Sequence, residues 1–273
     1  MVPTARAVLH YPVTASFRAD TQLWLDVATG NYSTAERQAL DALLGGLDAD
    51  GILLFDRLFL LHFGDNAADS LRCIVSRQSA TSVGATPPTF VRRQGWQGNT
   101  TTGQIDTNWA PSTGVNFTQN DASMGCLVRR VSTATTSLRF LMGCMNSGNV
   151  TNATLGVGTN NTTTFNRLNS TGTESQVSST VVPTDDSYCS ISRAISTAAT
   201  SRRGATELAT TVNSTGRSSI TLFLLARSNN GGGDGRGNHQ LAMAHAGAAQ
   251  STAQNADFRG RMDTFNTAIG YVS

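Results

Sequence analysis

The chain contains no lysine: all 20 basic residues among its 273 are arginine. Arginine suits fixed bidentate and stacked contacts better than lysine does, as a rigid assembly would need. Codon bias in a GC-rich genome is the competing explanation, although the many asparagines do not fit it. Charge of either sign is scarce. Only 14% of residues are charged and the formal net charge is +2, so bulk electrostatics point to neither a nucleic-acid nor a membrane partner. Glutamate is confined to Glu36, Glu174 and Glu207.

Other absences narrow the chemistry. No run reaches the roughly 18 apolar residues of a membrane span. The start, MVPTARAVLHYPVTASFRAD, has no charged segment followed by an apolar one, so no secretory signal is expected. The Asn-x-Ser/Thr triplets at Asn99, Asn116, Asn149, Asn152, Asn161 and Asn213 therefore read as surface turns and strands rather than glycosylation sites. Cys73, Cys126, Cys144 and Cys189 have neither CxxC nor Cys/His metal spacing. A Cys126–Cys144 bridge is geometrically conceivable, but buried free thiols are the expectation. No G-x-S-x-G elbow is present, and a phosphate cradle is excluded by the missing lysine. His239 and His245, six residues apart, have no third ligand in view. No cofactor or metal is expected.

What is present is Ser, Thr, Asn and Gly, with hydrophobic content at 39%. That mixture suits sheets with solvated polar faces and many turns. Residues 1–33 read as an N-terminal arm, interrupted by Pro3 and Pro12. Over 34–86 the period is helical. Ser33 or Thr34 caps a helix with Glu36 near the capping-box position and a stripe of Leu40, Leu43, Leu44 and Leu47. Ile52–Phe63 reads as a second helix stopped by Gly64, and Asp65–Cys73 as a third, short one. From 87 to 273 the period is two. Met124, Cys126 and Val128 alternate, as do Leu138, Phe140, Met142 and Cys144; so do Cys189, Ile191, Arg193 and Ile195, and Leu208, Thr210 and Val212. ITLFLLA at 220–226 is apolar on both faces, as in a strand between two packed layers, so Ile220, Leu222, Phe223 and Leu224 are expected to be buried. An amphipathic helix over Phe258–Val272 closes the chain.

The stretch PTFVRRQGWQGNTTTGQIDTNWAPST marks the change of period, with Gly103, Ile105, Thr107 and Trp109 on one side of a strand and Gln104, Asp106 and Asn108 on the other. Together with LFDRLFLLHFGDNAADSLRCIV before it and a hydrophobic strand and helix after it, this order resembles a family of phage and prophage virion proteins carrying a concanavalin A-like (lectin/laminin-G-like) jelly roll. The resemblance runs from Thr34 to the C-terminus. It implies a mainly β, antiparallel jelly-roll sandwich with a small N-terminal helical segment and a C-terminal helix. It also implies a structural component of a tailed-phage-like virion (fibre, spike or decoration), assembled in the bacterial cytoplasm with other virion proteins, as a homotrimer able to bind cell-surface carbohydrate.

Two alternatives are a receptor-binding lectin of a tail fibre and a polysaccharide depolymerase. Glycosidases of the concanavalin A-like class resemble one another in an E-x-D-x-x-E strand, whose carboxylates hydrolysis needs at a set separation. This chain lacks that strand, and Asp185 and Asp186 are adjacent and so point apart, so a non-enzymatic protein is expected. For a sugar ligand, the candidates are Asp234, Arg236 and Asn238 in the Gly-rich loop NNGGGDGRGN, together with Trp109, although its phase with Ile105 also suits core packing. The apolar circumference of Ile52–Phe63 exceeds what one short helix can bury against a sandwich edge, so a second partner is expected, either the first helix or a neighbouring subunit, which the resemblance makes one of a trimer.

Overall fold

Two hydrophobic periods build three layers: helices, a first sheet, and a second sheet. The structure is a computed structural model and describes residues 16–132, 137–147, 152–157, 163–171, 176–178 and 181–271. The arm up to residue 15 with Pro3, Pro12 and His10 lies outside the described residues, as do Asn149, Asn161, Glu174 and Val272.

The first sheet runs in spatial order β13 (Thr206–Thr211), β12 (Ala198–Arg203), β11 (Ser187–Ile195), β6 (Ala122–Arg130), β17 (Gln240–Gly247), β4 (Gly95–Gln97) and β3 (Thr89–Val91), with β1 (Phe55–Phe59) also pairing to β17. The second runs β10 (Gln176–Ser178), β9 (Thr164–Ser170), β8 (Asn152–Val157), β7 (Arg139–Met145), β14 (Phe223–Leu224), β5 (Gln104–Asp106) and β2 (Thr81–Val83). A hairpin of β15 (Arg227–Asn229) and β16 (Gly232–Asp234) joins it, with β15 parallel to β7. Neighbouring strands are otherwise antiparallel, and non-consecutive strands lie side by side, so this is a jelly-roll sandwich. Its interior holds Ile105, Met124, Cys126, Val128, Met142, Cys144, Leu155, Leu168, Ile191 and Leu241. All four cysteines are free and buried.

Helices clothe the outer face of the first sheet. α2 (Thr34–Ala49) begins at a capping box in which Glu36 N donates to Ser33 Oγ and Ser33 N donates to the Glu36 carboxylate. Its leucine stripe and Phe258, Met262 and Phe265 of α4 (Thr252–Ala268) pack on Phe55, Leu58, Tyr188 and Met243. α3 (Ala67–Ser70) is one short turn where a third helix is expected, whereas α1 (Ala19–Leu25) lies in the stretch read as an arm.

The helical reading of Ile52–Phe63 is corrected: its centre is strand β1. Leu58 and Leu60 face the helices while Phe59 and Leu61 face the sandwich interior. A short run apolar all round is ambiguous between a buried helix and a strand covered on both faces, and here a second layer lies on each side. Apart from Leu54, which is 51% exposed, the run is covered largely by its own chain, so the surplus apolar surface invoked for a trimer contact is absent. Since β1 and β2 belong to opposite sheets, the stretch 34–86 is woven into the sandwich.

ITLFLLA contributes only the two residues of β14 to a strand, and Ile220 is half-buried rather than buried, while Leu222, Phe223, Leu224, Leu225 and Ala226 are buried as expected. The chain leaves this strand at Leu225, in the left-handed region at φ 64°, and turns into β15.

Candidate functional site on the outer face of the second sheet

Strand alternation delivers the site. In β8 and β9, Ala153, Leu155, Val157 and Leu168 point inward, so Thr154, Gly156, Phe165 and Arg167 face out. A bulge in β7 at Leu141 sets Phe140 opposite Gly156 while Met142 lies opposite the inward Leu155. Phe140 therefore joins the outer face, not the core row it shares with Met142 and Cys144 in an unbroken alternation. The Phe140 and Phe165 rings meet edge to face, 6.3 Å between centroids. An arginine lies over each: Arg227 is 4.4 Å from the Phe140 centroid and Arg167 is 4.2 Å from that of Phe165.

The Gly-rich loop supplies the rim. It is not a free loop but the β15–β16 hairpin, turned at Asn230 and Gly231, both with positive φ (49° and 89°), as a tight hairpin turn requires. The hairpin sets Asp234 opposite Arg227, where Nε and Nη2 grip the carboxylate at 3.0 and 2.7 Å. Asn229 Nδ2 donates to the same carboxylate at 3.1 Å, and Arg236 Nε donates to Gln104 Oε1 of β5 at 2.8 Å. The next residues sit against Phe140, whose amide donates to Gly235 O.

Arg167 differs from its neighbours. It is only 5% exposed, its Nε is buried without a hydrogen-bond partner, and no carboxylate among the described residues pairs with it. Burial, with the nearby Arg227 charge, lowers its pKa to about 10, so it stays cationic at neutral pH. Directly opposite on β8, Thr154 is fully buried with Oγ1 also unpartnered.

Of the expected ligand residues, Asp234 and Arg236 reach this face. Asn238 lies at the sandwich rim, where it accepts from Ser132 Oγ. Trp109 is 4% exposed, packed edge-on against Phe117 with Arg57 over its ring, so it offers no free face to a sugar. Arg167, Phe165 and Arg227 are the residues that reading by motif passes over. The available signal is Phe165 and Arg167 two apart in TFNRLNS, in phase with each other and out of phase with Leu168.

The remaining candidates separate. Asp106 Oδ1 accepts from Asn108 N, and Asn108 Nδ2 donates to Ser79 O and Thr81 Oγ1. Asp185 accepts from Val131 N while Asp186 pairs with Arg129. His239 Nδ1 accepts from Ser132 N; His245 Nε2 lies 2.7 Å from the Tyr188 hydroxyl. Among the described residues no three His, Cys, Asp or Glu side chains converge as a metal site. A cleft of about 280 Å³ beneath α4 is lined by Asp186 and Asp263 as well as Arg203 and Arg259, so its charges offset one another and select no ligand sign.

No protein-family model matches the sequence, and no curated protein matches it. Among solved structures the chain is similar to a mutant of Trypanosoma rangeli sialidase displaying trans-sialidase activity (TM-score 0.56, 10% identity, covering 85% of this chain and 40% of that one). It is also similar to Trypanosoma rangeli sialidase itself (TM-score 0.54, 9% identity, 85% and 40%) and to the botulinum neurotoxin serotype D binding domain (TM-score 0.53, 8% identity, 76% and 52%). The chain spans roughly two fifths to one half of these structures. At such identity the likeness is one of fold. It does correct the expectation of a non-enzymatic protein. Two of the structures that share this fold over 85% of the chain are sialidases, so lacking one glycosidase strand motif is no ground for excluding catalysis.

Proposed function

We propose that this protein is a carbohydrate-binding component of a tailed-phage-like virion, engaging a host-surface glycan through the outer face of its second sheet. The observation that carries the binding role is the Phe140–Phe165 pair with Arg167 and Arg227 laid over the rings. Aromatic carbon presents a surface for the apolar face of a sugar, and guanidinium groups supply donors in fixed directions for its oxygens. Phe165 is half-buried, leaving ring surface for a ligand, whereas Phe140 is the buried support beneath Arg227. The likeness to sialidases and to a toxin binding domain is in keeping with this role.

The virion setting is supported by the resemblance from Thr34 onward. The same resemblance supports assembly with other virion proteins and a trimeric state, which light scattering on the purified chain measures directly.

A glycan array probed with the purified chain tests the binding role. Binding to bacterial surface glycans, reduced at least tenfold by Phe165→Ala with the fold intact, is the expected result. An array on which nothing binds removes the reading. Labelling of intact particles with an antibody to the chain tests the setting.

A further inference from the structure

We propose that the ligand of this face is a carboxylated sugar, whose carboxylate is taken by Arg167. The inference rests on the carbohydrate reading above and deepens it.

The three arginines of this face differ in what holds them: one has a carboxylate, one a neutral amide, and one neither among the described residues. Arg227 is neutralised by the bidentate grip on Asp234, and Arg236 is engaged by Gln104. Arg167 alone of the three is buried, and among the described residues it has neither a carboxylate nor a hydrogen-bond acceptor. A buried cation without a counter-ion is unfavourable, and an anion that docks against it recovers that cost. A carboxylate is the planar monoanion that accepts two parallel N–H bonds from a guanidinium. The sugar ring then lies along Phe165, over which Arg167 is already held at 4.2 Å.

Two other buried arginines show that an empty environment is not the rule in this protein: Arg202 pairs with Glu207, and Arg193 is held by backbone carbonyls. Arg193 is fully buried and donates to the carbonyls of Leu168, Ile195, Ser196 and Val212. Arg167 has no such set.

The test is calorimetric titration of the full chain with bacterial capsular oligosaccharides that carry a uronate or other sugar acid. Each is paired with its carboxyl-reduced form and with a sulfated neutral counterpart. The acidic member of each bound pair is expected to bind about 10- to 100-fold more tightly than the reduced one, the range for one charge-assisted contact. Arg167→Met should abolish that preference without lowering the melting temperature, and Arg167→Lys should restore part of it. Asp234→Asn, which frees the Arg227 charge, should tighten acidic binding. Equal affinity for acidic and reduced forms overturns the carboxylate assignment and leaves the carbohydrate reading standing. Preference for the sulfated form, or full retention of acidic binding in Arg167→Met, also overturns the assignment. Binding to no member of the panel removes both.

Discussion

The two sheets turn very different outer faces away from the sandwich. That of the first is covered by α2 and α4 and is mainly apolar, with Leu40, Leu43, Leu44, Leu47, Phe258, Met262 and Phe265 closing over Leu58, Tyr188 and Met243. It also holds buried polar pairs, Asn255 on Ser190 and Asn266 on His62. That of the second carries Thr154, Arg167, Phe165, Arg227 and Gln104, rimmed by a glycine-rich hairpin rather than a helix. The first face has its partner within the chain; the second is arranged around a cation that has none. On the proposed function, stability and recognition fall on opposite sides of one fold, so substitutions on the two sides should fail in different ways.

The largest effect belongs to the helix-clad side. Phe258 is fully buried beneath α4, in contact with the rings of Phe55, Tyr188 and His245. Phe258→Ala should cost about 3–5 kcal/mol in urea unfolding, through lost burial and the cavity left behind. Glycan affinity per folded molecule should not change. A loss below about 1 kcal/mol would show that the helices sit on the sheet without being part of its cooperative unit.

Arg193 gives the next largest effect. Its guanidinium crosses from β11 to the Leu168 carbonyl on β9, at 2.9 Å, and so links the two sheets. Arg193→Met strips four carbonyls of a donor and should cost about 3 kcal/mol, because buried acceptors left unsatisfied carry their full desolvation penalty. A variant as stable as the parent would mean that those carbonyls find other donors.

Acid should act through the buried histidines. Desolvation holds His245 down to about 3, and desolvation with the Arg139 charge does the same for His239. Both titrate near 6.5 when unfolded, so the unfolded chain takes up protons first as pH falls. Their contribution is complete above about 6.5 and is lost progressively as the pH drops toward 3. Unfolding free energies at pH 7, 5.5 and 4 should decline in that order, and His245→Gln should flatten the decline. An unchanged slope in that variant would place the acid sensitivity elsewhere.

How much of this was legible in the residues depends on how far each signal reaches. The capping box at Ser33 and Glu36 is local, and it appears where the sequence places it. The period-two rows of β6 and β11 are inherent in alternation, and Met124, Cys126, Cys189 and Ile191 face the core as expected. Ile52–Phe63 misleads because burial on both faces depends on which layers arrive, and no local pattern records that. Phe140 misleads because a single bulge residue, Leu141, reverses the phase of everything before it in the strand. Asp234 and Arg236 were recognisable as rim residues from the glycines around them. Arg167 was not, since its significance lies in the partner it lacks, and that can be seen only once its neighbours are placed.

The smallest effect on stability should come from the residue to which the proposed carboxylate contact is assigned. Arg167→Met replaces a buried, unpaired guanidinium with an apolar chain of similar length over Phe165, so no acceptor is orphaned and a desolvated charge disappears. Replacing buried charge with a well-packed hydrophobe is often neutral or stabilising. The expected change in unfolding free energy is within about 1 kcal/mol, or a gain, against the roughly 3 kcal/mol lost at Arg193. Side by side, the two arginine variants separate a cation that holds the sheets together from one that waits for an anion. If Arg167→Met destabilised as much as Arg193→Met, Arg167 would be a structural residue, and the contrast between the two faces would lose its central element.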